Sequence, residues 1–208
     1  MPRGSPELTK KRKNEILDAC KEIYKSKGFY GVNIKEISTK ISLTRPAIYN
    51  YFETKEEILL GLLAREYEDW CTELEAVIRP AKDMNTAALA NCLAETLADK
   101  DVMLRILNMN LYDIEQNSRI ERLAEFKMLY ARAISAITEI LRSYKSDIIS
   151  HDCTDFCNSF CAFMIGAYPF THHTEKQNQA MELAGMKFEE PTVYQMVYKC
   201  LLRLIPNK

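Results

Sequence analysis

Residues 33–55 read NIKEISTKISLTRPAIYNYFETK, which resolves into a helix, a three-residue turn and a short polar-aromatic helix. Ile34, Ile37 and Ile41 recur at helical spacing and make one apolar face. Asn33 is placed to cap this helix, and Glu36, three residues on, to answer the cap's own backbone N–H. Ser42-Leu43-Thr44 forms the turn, and Thr44 is placed to cap a second helix that begins at Arg45 and tolerates Pro46 in its first turn. That second helix assigns only Ile48 and Phe52 to a core, while it displays Arg45, Tyr49, Asn50 and Tyr51. A short helix rich in donors and poor in core residues suits a DNA major groove, with the preceding helix holding it in place.

The region around this stretch, residues 16–63, resembles the N-terminal domain of the TetR family of bacterial transcriptional regulators. The matching pieces are the amphipathic first helix ending in Lys27-Gly28-Phe29, then Ile34 and Ile37, then Leu43-Thr44-Arg45, and finally Ala47-Ile48-Tyr49-Asn50-Tyr51-Phe52 with Lys55. About a quarter of the chain carries the resemblance, without a gap. One departure is Ser42, where the family usually has glycine in the turn. A left-handed serine would cost about 1 kcal/mol, so the turn is either mildly strained or differently shaped.

The 208 residues suffice for a well-buried core, and their 47% apolar and 27% charged content is ordinary for a globular protein. The net charge of −1 hides an asymmetry: residues 1–55 hold 12 Lys/Arg against 6 Asp/Glu, and the rest holds 16 against 23. A basic end on an acidic body is the electrostatic footprint of a nucleic-acid-binding head, although Lys10-Lys11-Arg12-Lys13 alone reads equally well as a solvated tail. The N-terminus is polar, and the longest apolar run, residues 160–170, is about half of a membrane span. Seven scattered cysteines predict free thiols. Together these features predict a cytoplasmic protein without a membrane partner.

Helical periodicity dominates throughout, and no convincing strand alternation occurs, so the fold class is all-α. Two domains are expected: a three-helix helix-turn-helix DNA-binding domain over residues 1–54 and a helical effector-binding and dimerisation domain over 55–208. The first helix is expected over 7–27, ending before Gly28. Thr54-Lys55-Glu56-Glu57 reads as a capping box opening a long helix that Pro80 stops near Ile78. Further helices are expected over 85–98, over 101–115, and from a second capping box at Ser118-Arg119-Ile120-Glu121 to 144. The last ones fall at 153–167, breaking near Pro169, at 174–183 with Thr174 and Gln177 as cap pair, and from Pro191 to 204.

The resemblance implies a role for each residue of the head. Thr44, Tyr49, Tyr51 and Lys55 match positions that contact backbone phosphates, and their hydroxyl, phenol and ammonium donors suit that task. Arg45, Pro46, Ala47 and Asn50 match the face turned to base edges, where Arg45 can pair with guanine and Asn50 with adenine or a phosphate. For Tyr49 the alternative is a core aromatic. The resemblance also implies a homodimer built from the last two long helices, through Phe156, Phe160, Phe163, Met164, Val193, Met196, Val197 and Leu201, which serve alternatively as intramolecular core. It implies, further, a small-molecule effector in an apolar cavity, with Tyr67, Trp70, Met103, Leu107, Tyr112, Phe126 and Tyr130 as lining candidates, or again as ordinary core.

Cys153, Cys157 and Cys161 form a stripe four residues apart, near His151, His172 and His173. A thiol switch or a metal site is conceivable there, but small apolar packing explains the stripe as well. No phosphate-cradling glycine loop, HExxH or GxSxG motif occurs, so no enzyme, catalytic residue, cofactor or metal is expected. The expected function is a sequence-specific transcriptional regulator, a repressor released from a palindromic DNA operator by an effector. The alternatives are a thiol-redox-responsive regulator and a helical enzyme or scaffold that does not bind DNA.

Overall fold

The computed structural model describes residues 5–206, which form helices joined by short turns and, among the described residues, no strand. In chain order the helices are α1 (Pro6–Gly31), α2 (Ile34–Lys40), α3 (Arg45–Tyr49), α4 (Lys55–Ala81), α5 (Thr86–Glu95), α6 (Asp101–Met109), α7 (Leu111–Gln116), α8 (Ile120–Tyr144), α9 (Ser150–Thr171), α10 (Glu175–Leu183) and α11 (Val193–Leu204). The residues cluster into two compact units. The first comprises the chain up to Glu68 together with Met109–Tyr130, and the second comprises Asp69–Asn108 together with the chain from Ala131 on. Helices α4 and α8 contribute residues to both.

In the first unit α1 packs on α2 and α2 on α3. Ile16, Cys20, Ile23 and Tyr24 of α1 are buried, as are Ile37 of α2, Ile48 of α3, Phe52, and Ile58, Leu59, Leu62 and Leu63 of α4. These make one continuous apolar core at about 25 cal/mol per Å² of surface withdrawn from water. The regular part of α1 ends where the sequence predicts, because Gly28 adopts φ 66° and ψ −167°, a conformation essentially reserved for glycine. The short continuation to Gly31 lies beyond this kink.

The single helix expected over 101–115 is instead two. Asn110 leaves the helical region (φ −137°, ψ −2°), and its side-chain carbonyl accepts the Tyr24 hydroxyl at 2.8 Å. A short amide that finds a partner this way competes with helical continuation. Ser118 does not cap α8. Its hydroxyl donates to the Ile114 carbonyl at 2.7 Å and closes α7, while the Arg119 carbonyl receives the Leu123 N–H at the start of α8.

In the second unit α11 packs on α5 and α9. Trp70 is buried, and its indole N–H donates to the Thr96 hydroxyl at 3.0 Å, which in turn donates to the Leu93 carbonyl at 2.8 Å. Neither proline stops its helix where expected. Pro80 lies one residue from the end of α4. Pro169 lies inside α9, and the Ile165 carbonyl, which loses its usual i+4 donor there, accepts the Asn108 side-chain amide at 2.9 Å. Among the described residues no helix is long and apolar enough to cross a membrane.

Candidate nucleic-acid interface

The turn between α2 and α3 is built by ordinary backbone. No non-glycine residue among those described has positive φ, so Ser42 is not left-handed and carries no strain. Its hydroxyl accepts from the Arg12 guanidinium at 2.9 Å, which ties the turn to α1. Asn33 caps α2 through the Glu36 N–H at 2.9 Å. The Glu36 carboxylate meets Lys27 Nζ at 2.8 Å.

Helix α3 divides as its sequence suggests. Ile48 and Phe52 are buried, and Thr44, Arg45, Pro46 and Asn50 are exposed, with Ala47 half-buried. Tyr49 is 54% exposed, which removes the core alternative for it. Thr44 occupies the cap position, yet its hydroxyl makes no cap bond, because its backbone carbonyl already takes the Ala47 and Ile48 N–H groups. Tyr51 is half-buried and Lys55 opens α4. Lys55 Nζ lies 4.0 Å from the centroid of the Phe29 ring and 6.0 Å from that of Tyr30, so the pair just past the Gly28 kink positions this ammonium. Of the basic run in α1, Lys10 and Lys11 are exposed. Lys13 is half-buried, and burial followed by the neighbouring Arg122 charge holds its ammonium below the usual lysine range.

Behind α3 lies a polar lock that residue spacing does not reveal. The Glu57 carboxylate, fully buried, takes Arg119 Nε at 2.5 Å on one oxygen and Arg119 Nη2 at 2.8 Å on the other. It also accepts the Glu53 N–H at 2.8 Å, one residue before the expected capping-box partner, and the Arg119 N–H at 3.3 Å. Thr54 donates to the Asn117 carbonyl at 3.1 Å, and Arg122 reaches the Tyr51 carbonyl. Burial alone would raise the Glu57 carboxyl, but these donors outweigh it and hold it below its ordinary value. The residues just after α3 are therefore pinned by side chains about 60 positions downstream. The Thr54–Glu57 capping box is the one signal the sequence carried, and it named no arginine.

The other predicted residues distribute unevenly. In the first unit Tyr67 packs edge-on against Phe126 at 5.3 Å and tilts against Tyr130 at 6.3 Å. Tyr112, in the short α7, is 77% exposed, where a residue enclosing an apolar ligand is expected to be buried, a correction to the expected pocket set. In the second unit Trp70, Met103 and Leu107 are buried. Of the expected dimer contacts, Phe156, Phe160, Met164, Val193, Val197 and Leu201 are buried within the chain itself, where α9 meets α11 and their neighbours. These six keep little exposed surface in the protomer. Phe163 and Met196 are half-exposed, joined by Ile165 and Leu202. Cys153, Cys157 and Cys161 are buried, and burial pushes the Cys157 thiol up, away from the reactive thiolate.

This architecture, a helix-turn-helix head with a basic sequence ahead of a larger helical region, has a close counterpart among known families. Residues 16–62 match the model described as bacterial regulatory proteins, tetR family, and residues 64–202 match the tetracyclin repressor-like C-terminal domain. The chain belongs to the TetR family. The family comprises transcriptional regulators rather than enzymes. The chain is 24% identical over 81 residues to the HTH-type transcriptional activator FasR of Mycolicibacterium smegmatis, covering 39% of this chain and 37% of FasR. It is 31% identical over 75 residues to the uncharacterized HTH-type transcriptional regulator YfiR of Bacillus subtilis, covering 34% and 37%. These matches thus span under two fifths of each relative's length. Among solved structures, a bacterial regulatory protein in the tetR family from Rhodococcus RHA1 superposes with TM-score 0.64 at 15% identity, covering 95% of this chain and 98% of that one. A TetR/AcrR-family transcriptional regulator from Thermobifida fusca gives 0.60 at 19%, covering 92% and 97%. At such identities the superpositions speak to the fold.

Proposed function

We propose that this TetR-family protein is a homodimeric, sequence-specific DNA-binding regulator that represses transcription at a palindromic operator and is released by a small-molecule effector. The observation that carries the reading is the two-sided character of α3: Ile48 and Phe52 fix it to the core, while Arg45, Pro46, Tyr49 and Asn50 face solvent on a helix short enough to enter a major groove. Arg45, Pro46, Ala47 and Asn50 read base edges. Thr44, with a hydroxyl not used in capping, holds phosphates together with Tyr49, Tyr51 and Lys55. Residues 1–54 form the head and 55–208 the effector-binding and dimerisation body.

One head offers few contacts, so two heads related by a two-fold axis engage two half-sites. Dimerisation uses the outward sides of α9 and α11, with Phe163, Ile165, Met196 and Leu202 in place of the buried residues. Helix α4, shared by both units, is the continuous element between head and body. By linkage the effector binds better to the form that cannot hold DNA, and DNA weakens effector binding by the same factor. In the first unit, the buried Tyr67–Phe126 pair with the partly exposed Tyr130 beside it is the aromatic cluster proposed to meet such a ligand. The protein acts in the cytoplasm, where its DNA is.

The test separates the two kinds of contact. Lys55→Ala should weaken binding to every duplex by a similar factor and lower the salt dependence by about one counterion. Arg45→Ala and Asn50→Ala should each lose about 1–3 kcal/mol on the preferred duplex and relax preference at one position per half-site. Titrations on a panel of duplexes in which all three variants lose affinity uniformly would refute this division of roles.

A further inference from the structure

The last residues of α1 are built to hold two aromatic side chains in place. Gly28 turns the backbone to φ 66°, and the Val32 N–H donates to the Phe29 carbonyl at 3.3 Å and closes the turn. Gly31 admits no side chain, because a Cβ there would lie 2.2 Å from the Lys27 Cβ. Val32, next in sequence, is buried and anchors the far end. Phe29 and Tyr30, between these fixed points, therefore have little backbone freedom.

The two rings sit in different surroundings. Phe29 is half-buried and lies 4.0 Å from the Lys55 ammonium, whereas Tyr30 is 92% exposed. Tyr30 meets Phe29 edge-on at 5.7 Å, and its own centroid lies 6.0 Å from the same ammonium. Among the described residues the Tyr30 hydroxyl donates to no protein group, and no carboxylate pairs with Lys55. The ammonium is thus held by two rings, and its charge is left for an anion from outside. Tyrosine suits surfaces where the ring is covered and the hydroxyl finds a polar partner, and here the protomer supplies neither. A phenol is an uncharged donor on a stiff ring, and tyrosine hydroxyls bond phosphate oxygens without reading sequence. The neighbouring ammonium supplies the charge that draws a phosphate to this spot.

We propose that Tyr30 is a further contact to the DNA backbone: its hydroxyl donates to a phosphate oxygen of the strand that Lys55 holds, and the turn from Gly28 to Gly31 positions both groups as one unit. Lys55 supplies the charge and Tyr30 the directed hydrogen bond, so the pair adds affinity on every sequence alike. The inference rests on the DNA-binding reading above, in which Lys55 holds phosphates.

The test is a titration of the protein against the tightest-binding member of a duplex panel and a scrambled duplex, over a range of salt, comparing wild type with Tyr30→Phe and Lys55→Ala. Tyr30 is solvent-exposed, so Tyr30→Phe should leave the circular dichroism spectrum and Tm unchanged. It should lower affinity about tenfold on both duplexes, the loss expected for one hydrogen bond to a charged acceptor. The salt dependence should stay as in wild type, because no charge is removed, whereas Lys55→Ala should lower affinity and salt dependence together. A methylphosphonate scan, which neutralises one phosphate at a time, should find a position that erases the difference between wild type and Tyr30→Phe. Tyr30→Phe binding as tightly as wild type, with Lys55→Ala weakened, overturns the contact and leaves the DNA-binding reading intact. A folded wild type that binds no duplex at any salt overturns that reading itself, and the contact with it.

Discussion

Among individual side chains, Glu57 exerts the strongest hold on the segment that presents α3. Its carboxylate is fully enclosed and satisfied by the Arg119 guanidinium and two backbone N–H groups, so the polypeptide just after Asn50 has little freedom. Removing one partner of such a pair strands a buried charge, which costs about 3–5 kcal/mol where both groups are enclosed. Arg119 is 41% exposed, so solvent screens part of its contribution and the cost falls below that range: Arg119→Met should cost about 1–3 kcal/mol, read from denaturant midpoints. The pH dependence has a defined sign. Because the folded state holds the Glu57 carboxyl below its unfolded value of about 4.3, its stabilisation is complete above that pH and fades as pH falls through the lower folded value. Glu57→Gln should therefore lower stability at pH 7 and flatten the acid limb of the stability curve below about pH 4.3. Little of this lock was legible beforehand. The spacing of Thr54 and Glu57 signals a helix start, but a partner 62 residues away carries no local pattern.

Among the helices, the boundaries that matter are set by residues with a backbone reason. Gly28 ends the regular part of α1 in a conformation that side chains disfavour, and the two aromatic residues it releases place Lys55. Gly28→Ala should destabilise the protein by about 1–3 kcal/mol, measured by thermal unfolding, and lower DNA affinity by displacing Phe29 from Lys55. The starts of α2 and α3 were readable because cap, periodicity and turn all agreed at Asn33, Ile37 and Thr44, but α3 ends at Tyr49, three residues short of the expected reach to Phe52. The break between α6 and α7 was not, because Asn110 interrupts the helix through a bond to Tyr24, a tertiary partner. Conversely, α10 was readable from Thr174 and Gln177 alone, while its lack of any buried side chain was not. For α9 and α11, composition showed that more than one face is apolar but not which face the protomer keeps: Phe156 and Val197 are buried, Phe163 and Met196 half-exposed.

For the chain as a whole, the uneven charge is the property that function would exploit. A head with 12 basic against 6 acidic residues ahead of a body with 16 against 23 directs only one end toward DNA, so association should slow steeply with added salt. Thiol chemistry should not intrude. Cys92 and Cys200, half-buried, should react with iodoacetamide before buried Cys153, Cys157 and Cys161, and operator affinity should be unchanged when they do. A loss of affinity at that first stage of alkylation, followed by mass spectrometry, would point to redox control instead. The most direct measurement is selection of bound duplexes from a random DNA pool by the purified protein at physiological salt. A palindromic sequence, its half-sites about one helical turn apart, should be enriched, and Arg45→Ala should alter it. A pool that stays random at both physiological and low salt, with wild-type protein folded and dimeric, would contradict a sequence-specific regulator.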